Sequence, residues 1–267
     1  VRSPAPVLPA AVVALTTRDR ARRLIRPAFP RKRGGRLVIV RTASELGRAV
    51  RAELVDAVLL DVAAGEEAWQ GASLALELPG IPFLALAPWW PSDAHLLARA
   101  VAAECVELLA EGVDDAALSA LVEPHRFTTR FAAALWEPPS RLGITTELQR
   151  AVWWSVIGRA GRPTTTAMLA EHFRMSREHL SRSFSAGGTP TLKRVMDLVR
   201  VCAAAELAKN PGYDVGDVSR LLGFASSSHL AATAQRLVGT RPSSLARLRT
   251  VDLMARFLEV QGATGRD

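Results

Sequence analysis

The chain has 267 residues, of which 49% are hydrophobic and 22% charged, proportions of ordinary folded domains that exclude wholesale disorder and a disulfide scaffold. Its net charge of +8 favours polyanionic partners, and the charge is segregated: residues 1–50 carry 12 basic and 2 acidic side chains, residues 51–150 carry 6 and 15, and residues 151–267 carry 16 and 9. No apolar run approaches the roughly 18 residues of a membrane span, because Asp61 interrupts the longest, Ala57 to Ala64, so no membrane partner is expected.

From Ala11 to about Val122 short apolar runs alternate with longer amphipathic ones. The runs Ala11 to Thr16, Arg36 to Arg41, Asp56 to Val62, Ile81 to Ala87 and Cys105 to Ala110 lack clean alternation, as strands buried on both faces do. Helices are expected at Arg20 to Ala28, Ser44 to Leu54 with Ser44 as cap, Glu66 to Leu78, Asp93 to Ala103 on the spacing of Leu96, Leu97 and Val101, and Val113 to Val122. Five such repeats imply an α/β doubly wound domain with five parallel strands. Its Arg31 to Arg33 loop is either a phosphate contact or a solvated charge run. Trp89 and Trp90 are either a contact surface or one inward ring beside one that covers a helix end.

Such sheets bind ligands beyond the carboxyl ends of their strands, and the acidic residue placed there is Asp61. In strand count, length and the position of Asp61, this half resembles the receiver domains of bacterial two-component regulators. The resemblance implies Asp61 as phosphoacceptor, with an acidic pair after the first strand to hold a divalent cation, a hydroxyl after the fourth and a lysine after the fifth. The chain instead has Thr16 and Thr17, Ala87 and Pro88, and Leu109 and Ala110 there. Phosphorylating a carboxylate needs a hard cation held by carboxylates, and Asp19 is the one acid near enough to substitute. The expectation is a degenerate receiver-like domain serving dimerisation or ligand sensing.

Past a connector, whose helical portion runs from Thr128 to Trp136, a helix is expected from Glu147 to Ile157, capped by Thr145 or Thr146 and stopped by Gly158 and Gly161. Then "TTTAMLAEHFRMSREHLSRSF" places Leu169, Phe173, Leu180 and Phe184 in two short helices, Ala167 to Phe173 and Arg177 to Phe184, with Ser176 as cap of the second. That is helix-turn-helix grammar. A second unit follows in "DVGDVSRLLGFASSSHLAATAQRLVG", with Val215, Val218 and Leu222 on one face, Gly223 at the turn, Phe224 as plug and a helix from Ser227 to Leu237. Between them Thr191 to Lys209 keeps helical periodicity, and about 19 residues span roughly 28 Å, near the roughly 34 Å between major grooves one turn apart.

Over roughly residues 147 to 248 the chain resembles the AraC/XylS family of bacterial transcription regulators, through "MLAEHFRMSREHLSRSF", "GGTP", the long helix with Arg200 and Ala204, "VSRLLGFASSSHL" and "GTRPSSL". The resemblance implies an all-α tandem helix-turn-helix domain whose recognition helices are Ser176 to Phe184 and Ser226 to Leu237. It implies DNA contacts from Ser176, Arg177, His179 and Arg182 in the first unit and from Ser227, Ser228 and Arg236 in the second. Two departures stand out. Arg174 occupies the family's turn glycine, and Ala231, Ala232 and Ala234 replace larger side chains, so the first unit is expected to carry most of the sequence preference. Arg200 is expected to be a structural or phosphate partner, and the terminal "VDLMARFLEV" an added helix, on its own or a partner subunit.

The expected protein is a sequence-specific transcription regulator, cytoplasmic and nucleoid-associated, since no secretion signal is read at the start of the chain. Its expected parts are a receiver-like regulatory domain (1–125), a connector (126–145), the DNA-binding domain (146–250) and a C-terminal helix and tail (251–267). Its expected partners are double-stranded DNA, RNA polymerase, and a second copy through the N-terminal domain. Cys105 and Cys202 lie far apart with no ligand spacing, as buried thiols do, and neither metal nor cofactor is expected. The alternatives are a phosphorylation-dependent regulator using Asp61 and a protein-binding adaptor on the same fold. No Gly-rich phosphate loop or Ser/His/Asp set supports an enzyme, and His95, His125 and His172 are scattered.

Overall fold

The computed structural model describes residues 11–30, 36–137 and 140–264, with side chains through residue 261. The Arg31 to Arg33 cluster lies outside the described residues. The chain divides into two compact units, one comprising the described part of Leu8–Arg130 with Asn210–Tyr213, the other Phe131–Lys209 and the described residues from Asp214 onward.

In the first unit β1 (Ala11–Leu15), β2 (Arg36–Val40), β3 (Val55–Asp61), β4 (Phe83–Ala87) and β5 (Glu107–Ala110) form a parallel sheet in the order β2-β1-β3-β4-β5. β1, β3 and β4 are buried along their whole length; β1 and β4 accordingly read as unbroken apolar runs, β3 is apolar apart from Asp56 and Asp61, and the edge strands β2 and β5 are only partly covered. Helices α1 (Asp19–Ala28), α2 (Ala43–Ala52), α3 (Glu66–Ala72), α4 (Leu74–Glu77), α5 (Ala94–Ala102) and α6 (Leu118–Val122) accompany the strands. The arrangement is doubly wound, with its switch point between β1 and β3. Asp56, buried in β3, accepts from Arg126 Nε (2.9 Å) and Nη2 (2.6 Å) and from the Thr128 N–H (3.0 Å) and hydroxyl (2.7 Å). These bonds tie the start of α7 (Phe127–Ala134) to the sheet.

Local chemistry shifts several expected boundaries. Thr42, two residues before Ser44, caps α2 by accepting from Glu45 N at 3.1 Å. The helix expected from Glu66 to Leu78 breaks at Ser73, whose hydroxyl donates to Gln70 O at 2.7 Å and competes with the helical ladder. The helix expected from Val113 shortens to α6 because Asp114 and Asp115 accept from Ala110 N and Gly112 N, folding the preceding residues into turns. On α5 the apolar spacing does not mark a core face: Ala100 is buried, Leu96 and Leu97 are half-buried, and Val101 is exposed. The tryptophans divide as one inward and one outward ring, Trp89 Nε1 donating to Leu109 O at 2.8 Å while Trp90 is exposed.

The second unit contains α8 (Glu147–Ile157), α9 (Thr166–Phe173), α10 (Arg177–Phe184), α11 (Leu192–Leu207), α12 (Val215–Leu221), α13 (Ser227–Val238), α14 (Pro242–Leu245) and α15 (Thr250–Thr264). Thr146 caps α8, its hydroxyl accepting from Gln149 N. Trp153, Leu169, Leu180, Phe184, Leu198, Leu222, Leu230 and Leu237 are buried. Val215, expected on the apolar face of the second helix-turn-helix pair, is 39% exposed, whereas Leu221 is buried. Gly223 has φ +64°, and a Cβ there would lie 2.4 Å from Pro163 Cγ, so the turn requires glycine. The linker α11 has 16 residues, about 24 Å, shorter than its periodicity suggests. The C-terminal α15 buries Leu253, Met254 and Phe257 against α11 and α13 of its own chain. Cys202 is buried, with its thiol pushed up to about 12 by burial, whereas Cys105 is half-buried, with burial pushing it up to about 11. Among the described residues no helix is long and apolar enough to cross a membrane.

Candidate nucleic-acid interface

The crevice at the carboxyl ends of β1 and β3 holds Asp61, whose side chain is 0% exposed. Thr16 Oγ1 donates to Asp61 Oδ2 at 2.6 Å, Arg18 Nε donates to both carboxylate oxygens at 2.9 and 3.0 Å, and Arg18 Nη2 to Oδ1 at 2.6 Å. The same Nη2 reaches Glu111 Oε2 at 2.6 Å, and Arg20 pairs with the other oxygen of Glu111. Glu111 directly follows β5. Burial works against the Arg18 cation, but hydrogen bonds and charge from Asp61 and Glu111 outweigh it and raise its pKa. Arg18, tethered between both acids, and Arg20 on Glu111 together balance the two carboxylates. Asp19 does not join them: its side chain is 85% exposed and pairs with Arg22 at 3.0 Å. Among the described residues no cluster of His, Cys, Asp and Glu could hold a metal.

The second unit presents two helix-turn-helix pairs. In the first, Thr165 caps α9 and Ser176 caps α10, accepting from His179 N at 3.1 Å. Leu180 and Phe184 face inward, leaving Arg177, Glu178, His179 and Arg182 exposed. Glu178, exposed on the same helix, is a further candidate that a pattern of basic and hydroxyl residues does not reveal, since an acid here can accept from cytosine N4. Its carboxyl is held below its ordinary value, first by its own backbone N–H, then by Ser176 and the charges of Arg177 and Arg182, with desolvation opposing. In the second pair Asp214 caps α12 and Ser226 caps α13. Ser227 and Ser228 are exposed on the first turn of α13, and Arg236, also exposed, lies 3.3 Å from Asp197.

The alanines of α13 are not equivalent. Ala234 is core, Ala231 is half-buried, and of the three Ala232 alone is exposed. Ser228, Ala232 and Gln235 share one face at helical spacing, and Gln235 is exposed. Its amide suits bidentate recognition of adenine; alanine-rich surroundings masked it in the sequence. Arg200 is structural: its Nε donates to Leu222 O at 2.8 Å and its guanidinium lies 3.7 Å from the Phe224 ring centroid. Burial lowers its pKa, against the charge of Asp197.

Residues 169–248 match the model of a helix-turn-helix domain family, spanning both pairs and the linker. They form a helix-turn-helix domain of the AraC type. This domain makes the chain a DNA-binding transcription regulator. No curated protein matches the chain. Among solved structures it is similar to a response regulator from Thermotoga maritima (22% identity, 43% of this chain and 95% of that one, TM-score 0.37). It is also similar to full-length FixJ from B. japonicum (13% identity, 82% and 98%, TM-score 0.39) and to DrrB, an OmpR/PhoB homolog of Thermotoga maritima (13% identity, 67% and 88%, TM-score 0.37). The strand order, independently of these, gives the N-terminal unit its receiver-like topology.

Gln149 of α8 precedes the matched span yet holds the C-terminal end of α10. Buried, it donates from Nε2 to Phe184 O (2.8 Å), Ala186 O (3.0 Å) and Thr189 Oγ1 (3.0 Å), while Oε1 accepts from Thr145 N and Thr146 N. Its partners are backbone atoms 35 and 37 residues away, a relation no local pattern displays. Arg174, at the turn of the first pair, is left-handed at φ 53°, ψ 44°. A non-glycine residue there costs about 1–2 kcal/mol, so Arg174→Gly is expected to raise the stability of the AraC-type domain by about 1 kcal/mol, read from denaturant midpoints.

Proposed function

We propose that this regulator reads two adjacent major grooves of duplex DNA through α10 and α13, under an N-terminal domain that acts without phosphorylation. The supporting observation is the paired construction: each reading helix has a serine cap and an exposed polar face, and α11 joins the two helix-turn-helix pairs. Arg177 and Arg182 read bases, with His179 beside them. Ser176, Ser227 and Ser228 hold phosphates, and Arg236 supports the second contact. The proposed division is a regulatory domain over 1–125, a connector over 126–145, the DNA-binding domain over 146–250 and a C-terminal helix and tail over 251–267. The site of action is the cytoplasmic nucleoid. Val106 and Val113, which flank the edge strand β5 in the chain, and Trp90 and Val101 are all exposed and supply the apolar surface for a homodimer through this domain.

Selection of bound duplexes from a random pool, followed by methylation interference, tests the DNA reading. The expected footprint is two major-groove patches on one side of the duplex, about 10 base pairs apart; a single patch refutes the two-groove mode. For the regulatory domain, incubation with a small phosphodonor and Mg²⁺ is expected to leave the intact mass unchanged. An adduct that disappears in Asp61→Asn would show the Arg18 pairing to be displaceable and the phosphorylation-free reading wrong.

A further inference from the structure

We propose that the cleft between the two helix-turn-helix pairs is a phosphate-backbone site, occupied by the strands that flank the minor groove between the two major grooves read. The inference rests on the two-groove reading and specifies what holds the duplex between the reading helices. The cleft has a volume of about 410 Å³. Its floor is one stripe of α11, on which Lys193, Asp197 and Arg200 stand at i, i+4 and i+7. Arg162 and Thr165, at the entrance to α9, line one side, and Arg236 of α13 lines the other.

Position and charge both point to DNA. A body with one helix in each of two successive major grooves faces the minor groove between them, and therefore two phosphate strands. Besides Arg200, whose guanidinium is held by Leu222 and Phe224, three cationic side chains, Arg162, Lys193 and Arg236, line the cleft there against the single carboxylate of Asp197. Lys193 is exposed, and no carboxylate among the described residues pairs with its ammonium. A small-molecule pocket would be mainly apolar, whereas this lining suits a polyanion whose bound counterions are released. Asp197, 3.3 Å from Arg236, opposes the phosphates and limits nonspecific affinity.

The test uses the full chain with a selected duplex and a scrambled duplex of equal length, measured by fluorescence anisotropy over a salt series. Lys193→Ala is expected to weaken both duplexes equally, roughly three- to ten-fold, and to lower the salt slope by about 1. Lys193→Arg should restore both quantities, and Asp197→Asn should tighten both duplexes. If the wild-type chain binds and Lys193→Ala and Asp197→Asn match it in affinity and slope, the cleft holds no phosphate. A loss confined to the selected duplex also overturns the proposal, because Lys193 would then read a base. If the wild-type chain selects no duplex at all, the two-groove reading fails and this site fails with it.

Discussion

Arg18→Ala is expected to lower the local stability of the N-terminal unit by about 3–5 kcal/mol, the usual consequence of removing one partner from a buried ion pair. Asp61 and Glu111 have side chains 0% and 1% exposed. Without Arg18, Asp61 retains among its described contacts only the Thr16 hydroxyl, and Glu111 retains Arg20, whose side chain is 67% exposed. The double variant Arg18→Ala with Asp61→Asn should recover much of the loss, because the uncompensated charge is gone. Arg18→Lys should recover less, since an ammonium lacks the planar fork that serves two carboxylates. Two units make a single unfolding transition an unsafe measure, so native-state hydrogen exchange of the β1 and β3 amides is the appropriate readout. Unchanged protection in Arg18→Ala would mean that the triad contributes nothing to this fold.

The double variant Arg177→Ala, Arg182→Ala is expected to abolish discrimination between a selected duplex and a random one. Each good bidentate base contact is worth about 1–3 kcal/mol, so the pair accounts for roughly 2–6 kcal/mol of specificity if the two act independently. Both side chains are exposed on α10, so folding should be unaffected, and residual salt-dependent binding should persist through the remaining phosphate contacts. Competition between the two duplexes, with circular dichroism as the control for folding, gives the measurement. Retained discrimination would remove α10 from its proposed role. Gln235→Ala offers a comparison: if α13 also reads bases, preference should relax at one position only.

Much of the helix-turn-helix region was legible because its signals are local. Capping serines, inward leucines at helical spacing and the glycine of the second turn lie within a few residues of what they control. The apolar spacing of α5 misled for the opposite reason: periodicity shows where a helix could bury a face, and the presence of a covering layer at an edge strand is a separate matter. Gln149 was invisible because its partners are brought to it by packing. The segregated charge was visible as numbers, but its partners were not. Part of the basic surplus of the first fifty residues meets the acidic surplus of the next hundred inside one unit, as in Arg18 and Arg20 with Glu111 and Arg36 with Glu53.

By itself the sequence determined the class of each half: unbroken apolar runs separated by helices make a parallel sheet, and two capped helix pairs joined by a periodic stretch make a tandem DNA-binding domain. It also determined that the acidic pair, hydroxyl and lysine of a phosphorylation site are missing from their expected places. Only the tertiary structure decided what stands there instead. A guanidinium three residues after β3's neighbour β1 and a carboxylate after β5 are 93 positions apart along the chain, and nothing in their spacing pairs them. The parallel sheet brings the carboxyl ends of all its strands to one edge, where burial makes a charge without a partner costly, and so Arg18 and Arg20 together balance Asp61 and Glu111.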